Sequence, residues 1–379
     1  MTTFATLTLP DDSTGAAQTV RWHSESGLPP PKRVVIADDR TTADVAFRLA
    51  SEGTALVWRG DFQNARQLLQ AITRRIERKP RKPAATPKDA FNLHRQTQSQ
   101  RARTLGMLLI PLDADYTISL RRAPDVREAC IEAYGSAGAD ASVVSLRELL
   151  GLVGAHEWRK KGVEIPVLGE RIHPYYGVFS PVRGEYLDLI ARAPLPSAAM
   201  QRAFDIGTGT GVIAALLAKR GVRHVVGTDQ DPRALACARD NLARLGYAAQ
   251  VEVIEADLFP AGRAPLIVCN PPWVPARPAS SIEAAVFDPD SRMLLGFLNG
   301  LAAHLEPGGE GWLILSDFAE HLGLRSRGML MEAIDRAGLV VAGRDDIRPR
   351  HPKATDASDP LHAARVAEIT SLWRLKAKG

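Results

Sequence analysis

The chain has 379 residues and a formal net charge of +5, with 45% hydrophobic and 24% charged residues. This composition is ordinary for a globular protein and excludes a largely disordered chain, and the length accommodates two domains. No stretch approaches about 18 apolar residues, and the first residues lack a signal-peptide pattern, so we expect a cytoplasmic protein with no membrane contact. The three scattered cysteines form no CxxC pair, so no metal site is predicted.

The first part of the chain alternates strand-like and helix-like patterns at Arg33–Ala37, Thr42–Ser51, Ala55–Trp58 and Asn64–Ile76. An apolar stretch at 105–112 and two helical patterns at 126–134 and 145–153 follow. Glycines and prolines then punctuate 164–175, which is typical of a domain boundary. We therefore expect a smaller α/β domain that recognises the substrate over residues 1–165 and a second domain over 166–379.

A basic segment lies within the predicted first domain. Residues 74–103 contain ten lysines and arginines but only two acidic residues, and three prolines interrupt the segment. Such a segment can follow a phosphate backbone, which would indicate nucleic-acid binding. A solvated linker with a charged helix surface is an equally good interpretation of the pattern.

The second domain has a regular order of strands and helices. After a strand and a glycine-rich turn at 203–211, it predicts helix Ile213–Lys219, strand Val222–Thr228, helix Pro232–Leu245, strands Val251–Glu255 and Leu266–Cys269, helix Arg292–Leu305, strand Gly311–Leu315, helix Gly328–Ala337, and strands Leu339–Ile347 and Val366–Leu375. This alternation predicts a mostly parallel sheet with helices on both faces. The last two strands suit an antiparallel hairpin at one edge.

The first chemical motif is a glycine-rich turn after an apolar strand that ends in Asp205. Three alternating glycines open the next helix, with Thr208 between the first two: Gly207, Gly209 and Gly211. Glycines permit a tight turn and close approach of a ligand to the backbone. A dinucleotide fingerprint needs a small residue where Val212 stands, so the spacing disfavours NAD. A glycine-rich turn without a ligand is the alternative.

Two further acids follow the next strands. Asp229 ends the second strand, where a carboxylate can accept hydrogen bonds from both hydroxyls of a ribose. Asp257, followed by Leu258, comes after the third strand and could accept a hydrogen bond from an adenine amino group. By itself, Asp257 could equally be a surface acid in a loop.

The motif Asn270-Pro271-Pro272-Trp273 follows the fourth strand. The Asn270 amide oxygen and the Pro271 carbonyl can accept both hydrogens of a planar NH₂ group, while Trp273 stacks on that group. Accepting both hydrogens draws the nitrogen lone pair out of the plane, so methylation of that nitrogen needs no dedicated base. A proline-kinked loop with a core tryptophan is the alternative.

Together these motifs, DIGTGTGVIA, the acid-tipped second strand, ADL and NPPWVP, resemble the class I S-adenosylmethionine-dependent methyltransferases. The similarity is greatest to those that methylate glutamine in release factors and a ribosomal protein, and it spans about Tyr175–Leu375. It implies a Rossmann-like domain and S-adenosylmethionine as cofactor, held by Asp205, Gly207, Thr208, Gly209, Gly211, Asp229, Asp257, Leu258 and Asn270. The implied catalytic residues are Asn270, Pro271, Pro272 and Trp273.

Two other segments extend this resemblance. Gly177–Pro181 looks like the segment that lines the site before the first strand, which makes Phe179, Pro181 and Trp273 candidate substrate contacts. Phe287-Asp288-Pro289 resembles the acid and proline that follow the catalytic loop.

The resemblance leaves the substrate open. Trp273 stands where the glutamine enzymes usually have tyrosine, and guanine and adenine methyltransferases share NPP followed by an aromatic residue. With the basic segment, this slightly favours a nucleic-acid (rRNA) base amine, and a protein glutamine is the alternative. A small-molecule enzyme or an inactive binding module is less favoured. The expected partner is thus RNA or a ribosome-associated protein.

Overall fold

The computed structural model describes residues 5–10, 17–78, 83–181, 184–278, 283, 285–350 and 356–379. They form two compact units, Met1–Ala84 with Asn92–Glu157, and Ala85–Phe91 with Trp158–Gly379. The predicted division at 165/166 differs from these bounds in part because Val163 and Ile165, before that division, pack with the core of the second unit. No helix in the described ranges has both the length and the apolar character needed to cross a membrane.

The first unit contains a six-stranded sheet in the order β1-β2-β6-β5-β4-β3. Its strands are β1 (Thr6–Pro10), β2 (Ala17–His23), β3 (Arg33–Ala37), β4 (Thr54–Trp58), β5 (Leu108–Leu112) and β6 (Ser142–Ser145). Its helices are α1 (Ala43–Ser51), α2 (Phe62–Glu77) and α4 (Arg127–Tyr134). Two further helices contain residues of both units: α3 (Pro87–Leu105) starts in the second unit, and α5 (Leu146–Lys161) ends in it. The two predicted strands and two predicted helices at 33–76 are confirmed, each within about two residues.

The helices of this first unit begin where the chain supplies caps. The Thr42 hydroxyl accepts a hydrogen bond from the Val45 amide at the start of α1, and Asp61 accepts one from the Gln63 amide at the start of α2. Such caps satisfy amides that have no partner inside the helix. The caps therefore fix the residue at which each helix starts. β4 lies between these two helices in the chain, and its five residues are all buried.

The basic segment proves to be partly helical. Residues 79–82 lie outside the described residues, and the basic residues from Lys88 onward lie on α3. Two of the arginines are engaged in ion pairs, Arg75 with Asp44 at 2.8 Å and Arg101 with Glu77 at 3.1 Å. Its role in binding nucleic acid stays a prediction.

The second unit contains a seven-stranded sheet in the order β11-β10-β9-β12-β13-β15-β14, with a separate hairpin of β7 (Val163–Ile165) and β8 (Glu170–Ile172). The strands are β9 (Arg202–Ile206), β10 (His224–Asp229), β11 (Val251–Glu255), β12 (Ala264–Cys269), β13 (Leu305–Ser316), β14 (Leu339–Ile347) and β15 (Thr370–Ala377). The helices are α6 (Glu185–Arg192), α7 (Val212–Lys219), α8 (Pro232–Arg244), α9 (Arg292–His304), α10 (Phe318–His321), α11 (Arg327–Arg336) and α12 (His362–Ala367).

The predicted fold class of this unit is confirmed. Five neighbouring strands run parallel, and β15 runs antiparallel to β13 and β14. The last predicted strand was placed too early, at 366 rather than Thr370. The physical reason is that residues 362–367 form helix α12, just after the Leu361 amide donates to the Asp359 carboxylate, so the chain enters a helix before it enters the sheet.

The centre of the sheet creates a crevice. From β9 the chain proceeds outward to β10 and β11, whereas β12 lies on the other side of β9. At such a reversal of strand order, the loops after the two central strands diverge and leave room for a ligand. Ile206 pairs with Cys269, so Gly207 and Asn270 leave the sheet side by side.

Candidate functional site

Asp205 lies near the end of β9 and anchors the glycine-rich turn that follows this strand. One carboxylate oxygen, Oδ2, accepts hydrogen bonds from the Thr208 hydroxyl at 2.7 Å and from the Ala214 amide at 3.1 Å. Asp205 is fully buried, and among the described residues its Oδ1 atom has no hydrogen-bond partner. Because a buried acceptor without a partner is costly, this atom marks a place where a donor is missing.

Burial raises the pKa of Asp205 from 3.8 to about 7, although the hydrogen bonds from Thr208 and Ala214 lower it. The folded protein therefore holds this proton more tightly than the unfolded chain. The resulting contribution to stability is complete below the unfolded value of 3.8 and is lost as the pH rises through about 7.

We expect Asp205→Asn to change the pH dependence of stability because asparagine keeps an acceptor for Thr208 and does not titrate. Between about pH 4 and pH 7, the wild-type free energy of unfolding should fall relative to that of the variant. Urea unfolding of both proteins without ligand across this range measures the difference. Two curves that stay parallel would contradict the raised pKa.

The three glycines of the turn all adopt left-handed backbone conformations, with φ of +71° at Gly207, +53° at Gly209 and +79° at Gly211. Other residues rarely adopt such conformations. At Gly211 a Cβ atom would lie 3.3 Å from the backbone of Ala238, so glycine also lets α7 and α8 pack closely. At Gly209 the described residues would place only the Gly207 carbonyl oxygen near a Cβ, at 4.0 Å, so they leave open space above the turn.

Substitution of Gly207 tests this packing. A Cβ there would lie 2.4 Å from the Met293 Cε atom, in addition to the strain of positive φ. Because Met293 Cε is the far end of a flexible side chain that can move aside, we expect Gly207→Ala to lower the free energy of unfolding by about 1–2 kcal/mol, mainly through backbone strain. Gly209→Ala should cost only the backbone strain, about 1 kcal/mol.

The matched test is the double variant Gly207→Ala with Met293→Ala, compared with each single variant by urea unfolding. The double variant should recover the small cost of displacing Met293 but not the backbone strain, so the two substitutions should be slightly non-additive. Strict additivity would show that Met293 does not limit the space at Gly207.

Asp229 lies at the end of β10, beside the glycine turn. Its Oδ2 atom accepts a hydrogen bond from the Gly209 amide and its Oδ1 atom accepts one from the Asp231 amide, both at 3.0 Å. The residue is half-buried, and burial raises its pKa despite these two bonds. A carboxylate has about four acceptor positions, so each oxygen of Asp229 can still accept a hydroxyl donor.

Asp257 is more exposed than the other predicted cofactor residues. Its carboxylate accepts hydrogen bonds from the Gln230 side chain and from Arg292, the latter at 2.7 Å. The next residue, Leu258, has φ of +71°, and its carbonyl accepts a bond from the Thr228 hydroxyl. The predicted contact of Asp257 with adenine stays a prediction.

The Asn270–Trp273 loop follows β12, all six residues of which are buried. Pro271 is buried, while Asn270, Pro272 and Trp273 are half-buried. The indole Nε1–H of Trp273 donates a hydrogen bond of 2.9 Å to Asn270 Oδ1. Because an indole nitrogen can only donate, this bond fixes which end of the Asn270 amide carries the oxygen.

The segment that resembles the family's acid and proline stabilises this loop. The Asp288 amide donates to the Val274 carbonyl at 2.9 Å, and Val274 and Phe287 form a β-bridge. The Asp288 carboxylate then caps α9 by accepting from the amides of Met293 and Leu294. The loop is thereby held at its far end by a helix start.

Sequence reasoning missed Tyr186, which is fully buried near the start of α6. Burial raises its pKa, and a hydrogen bond with the Asn270 side chain acts in the opposite direction. A tyrosine in an amphipathic pattern usually belongs to the core, so nothing in the sequence separated it from a packing residue. Of the other predicted contacts, Phe179 packs against the same core and Pro181 is buried.

Comparison with known proteins places residues 171–336 in the methyltransferase small domain family. The chain is 39% identical to a release factor glutamine methyltransferase of Cereibacter sphaeroides over 28% of this chain and 43% of that protein. It is 34% identical to a ribosomal protein L11 methyltransferase of Pelotomaculum thermopropionicum over 38% of this chain and 39% of the relative. The chain thus spans less than half of these relatives.

A third relative is covered more fully. A putative protein N5-glutamine methyltransferase of Methanocaldococcus jannaschii is 31% identical over 39% of this chain and 75% of its own length. The family match covers the strands from β9 to β13, which carry the glycine turn, Asp229 and the Asn270–Trp273 loop. The chain belongs to the class I S-adenosylmethionine-dependent methyltransferase family, through a methyltransferase small domain.

Proposed function

We propose that this chain is a protein N-methyltransferase that transfers the methyl group of S-adenosylmethionine to the side-chain amide of a glutamine. The observation that carries the proposal is the placement of Asn270 directly beside Gly207, where β12 and β9 end. A residue able to hold a planar NH₂ group therefore borders the turn that is shaped for a cofactor. The names of the relatives, which specify glutamine or a ribosomal protein, support a protein substrate.

The residues present fit S-adenosylmethionine in three respects. The space above Gly209 leaves room for a ligand, and Asp229 retains acceptor positions for ribose hydroxyls. The Oδ1 atom of Asp205, which has no hydrogen-bond partner among the described residues, supplies a buried polar group next to the same turn. Gly207, Gly209, Gly211, Asp205 and Asp229 would hold the cofactor, which supplies an electrophilic methyl group on a positively charged sulfur.

The chain's own part in the reaction is to hold and polarise the target nitrogen. Asn270 Oδ1 and the Pro271 carbonyl would each accept one N–H of the glutamine amide, which draws the nitrogen lone pair away from conjugation. Trp273 would stack on the flat amide group. Transfer forms a C–N bond and breaks the S–CH₃ bond, and the amide nitrogen then loses one proton to water. The products are the N-methyl amide and the demethylated thioether.

A base amine in RNA is the second candidate, and two observations favour it. Trp273 offers a larger ring than the tyrosine usual in glutamine enzymes, and α3 carries several basic residues. Against it, the names of two relatives specify glutamine as the methylated residue, and neither name refers to RNA. The glutamine proposal therefore has the stronger support.

The test uses methyl-labelled cofactor with an extract of cells that lack this protein. Label that resists ribonuclease, is removed by protease and is released as methylamine on acid hydrolysis supports glutamine methylation, since hydrolysis of an N-methyl amide yields methylamine. Label removed by ribonuclease supports the base amine. Absence of label in both fractions would contradict both.

A further inference from the structure

The Asn270 side chain is held by a hydrogen bond in the structure. Trp273 Nε1–H donates to Oδ1 at 2.9 Å. Asn270 also lies close enough to the buried Tyr186 hydroxyl to lower the pKa of that phenol. Tyr186 comes from α6 and Trp273 from the loop after β12, so groups from two separate elements face one amide. Asparagine normally turns about its last side-chain bond with little preference.

The orientation of the Asn270 amide matters because its two ends have opposite hydrogen-bonding roles. The oxygen accepts hydrogen bonds, whereas the nitrogen donates them. If the Asn270 amide turned over, its NH₂ group would face the NH₂ group of the substrate, and two donors would oppose each other. A bond from Trp273 disfavours the reversed state because the indole N–H would then point at another donor.

The oxygen keeps room for the substrate in this arrangement. A carbonyl oxygen has two lone pairs, and Trp273 occupies only one of them. The arrangement thus preorganises an acceptor before substrate binds, which lowers the reorganisation needed during transfer.

We propose that Trp273 and Tyr186 are positioning residues that together lock the Asn270 amide with its oxygen available to the target NH₂ group. This proposal rests on the function proposed above and adds a role for the indole N–H that is separate from stacking. Phenylalanine or tyrosine at position 273 would provide a ring to stack on but no N–H at this place. Tyr186 would act from the buried side, where substrate does not reach.

The first test removes one hydrogen-bonding group at a time from Trp273 and Tyr186. Replacing Trp273 by benzothienylalanine exchanges the N–H for sulfur and keeps the ring shape, and Tyr186→Phe removes only the hydroxyl. We expect each to lower the initial rate of label transfer about tenfold, the effect of one hydrogen bond on a preorganised group. The dissociation constant of S-adenosylmethionine, measured by calorimetry, should be unchanged.

Matched controls are available in the same unit. Trp158 is 55% exposed, so benzothienylalanine there should leave the rate unchanged. Tyr247 packs at the edge of the core that contains Tyr186, and Tyr247→Phe controls for loss of a hydroxyl from that core. Equal rates in the Trp273, Tyr186 and control variants would overturn the proposal. A parallel loss of cofactor affinity would also overturn it, because it would indicate a general structural effect.

A second measurement does not depend on turnover. In the wild type the Trp273 indole proton should exchange slowly with deuterium, and Asn270→Ala should accelerate that exchange, as followed by nuclear magnetic resonance. Unchanged exchange would overturn the lock. If exchange behaves as expected but the wild type labels neither protein nor RNA, the proposed function fails and the role in transfer fails with it. If the wild type transfers label and both variants keep the same rate, the positioning role of Trp273 and Tyr186 is overturned but the proposed function stands.

Discussion

Asn270→Ala should lower the rate of methyl transfer by about 10²-fold to 10³-fold, the range observed when one preorganised polar group is removed from a catalytic site. The substitution removes the acceptor that would draw out the nitrogen lone pair. It should leave binding of S-adenosylmethionine nearly intact, since the hydrogen bond from the Gly209 amide to the Asp229 carboxylate does not involve Asn270. Initial rates of label transfer and calorimetric titration measure the two effects.

Two comparisons make this prediction specific. Asn299 is exposed on α9, so Asn299→Ala should retain full activity. Asn270→Asp keeps two acceptor oxygens but adds a charge in a half-buried place, so it should retain more activity at low pH than at high pH. Retained turnover in Asn270→Ala would refute the catalytic role, whatever the substrate.

Much of the cofactor side of this site could be read from the sequence because it depends on local chemistry. Three alternating glycines indicated a turn with unusual backbone angles, and the structure has positive φ at all three. Asp229 and Asn270 each directly follow or end a strand, and parallel strands bring their carboxyl ends to one edge. Spacing along the chain was therefore sufficient to predict that these residues lie at the same edge of the sheet.

The remaining features depend on contacts between distant parts of the chain. Tyr186 meets Asn270 only because α6 packs beneath the sheet, and no local pattern marks it. The bond from Trp273 to Asn270 joins two side chains of one loop, and the sequence alone does not reveal it. In the first unit, β6 is only four residues long and enters between β2 and β5, so its place in the sheet reflects packing that its sequence does not reveal.

Asp229→Ala should have the largest effect on the cofactor. The carboxylate would accept hydrogen bonds from two ribose hydroxyls, and a bond to a charged acceptor contributes about 1.5–3 kcal/mol. Loss of both should raise the dissociation constant of S-adenosylmethionine by about 10²-fold or more. The substitution also removes the acceptor for the Gly209 amide, which would loosen the turn itself.

Asp231→Ala is the matched control because it removes a neighbouring carboxylate that has a different structural role. Asp231 accepts from the Arg233 amide as the cap of α8, so its loss should cost about 1 kcal/mol of stability and leave cofactor affinity unchanged. Asp229→Asn should fall between wild type and Asp229→Ala, since it keeps one acceptor oxygen. Burial raises the pKa of Asp229, so wild-type affinity should also weaken as the pH is lowered and its carboxylate takes up a proton. Calorimetry that finds equal affinities for wild type and Asp229→Ala would place the ribose elsewhere.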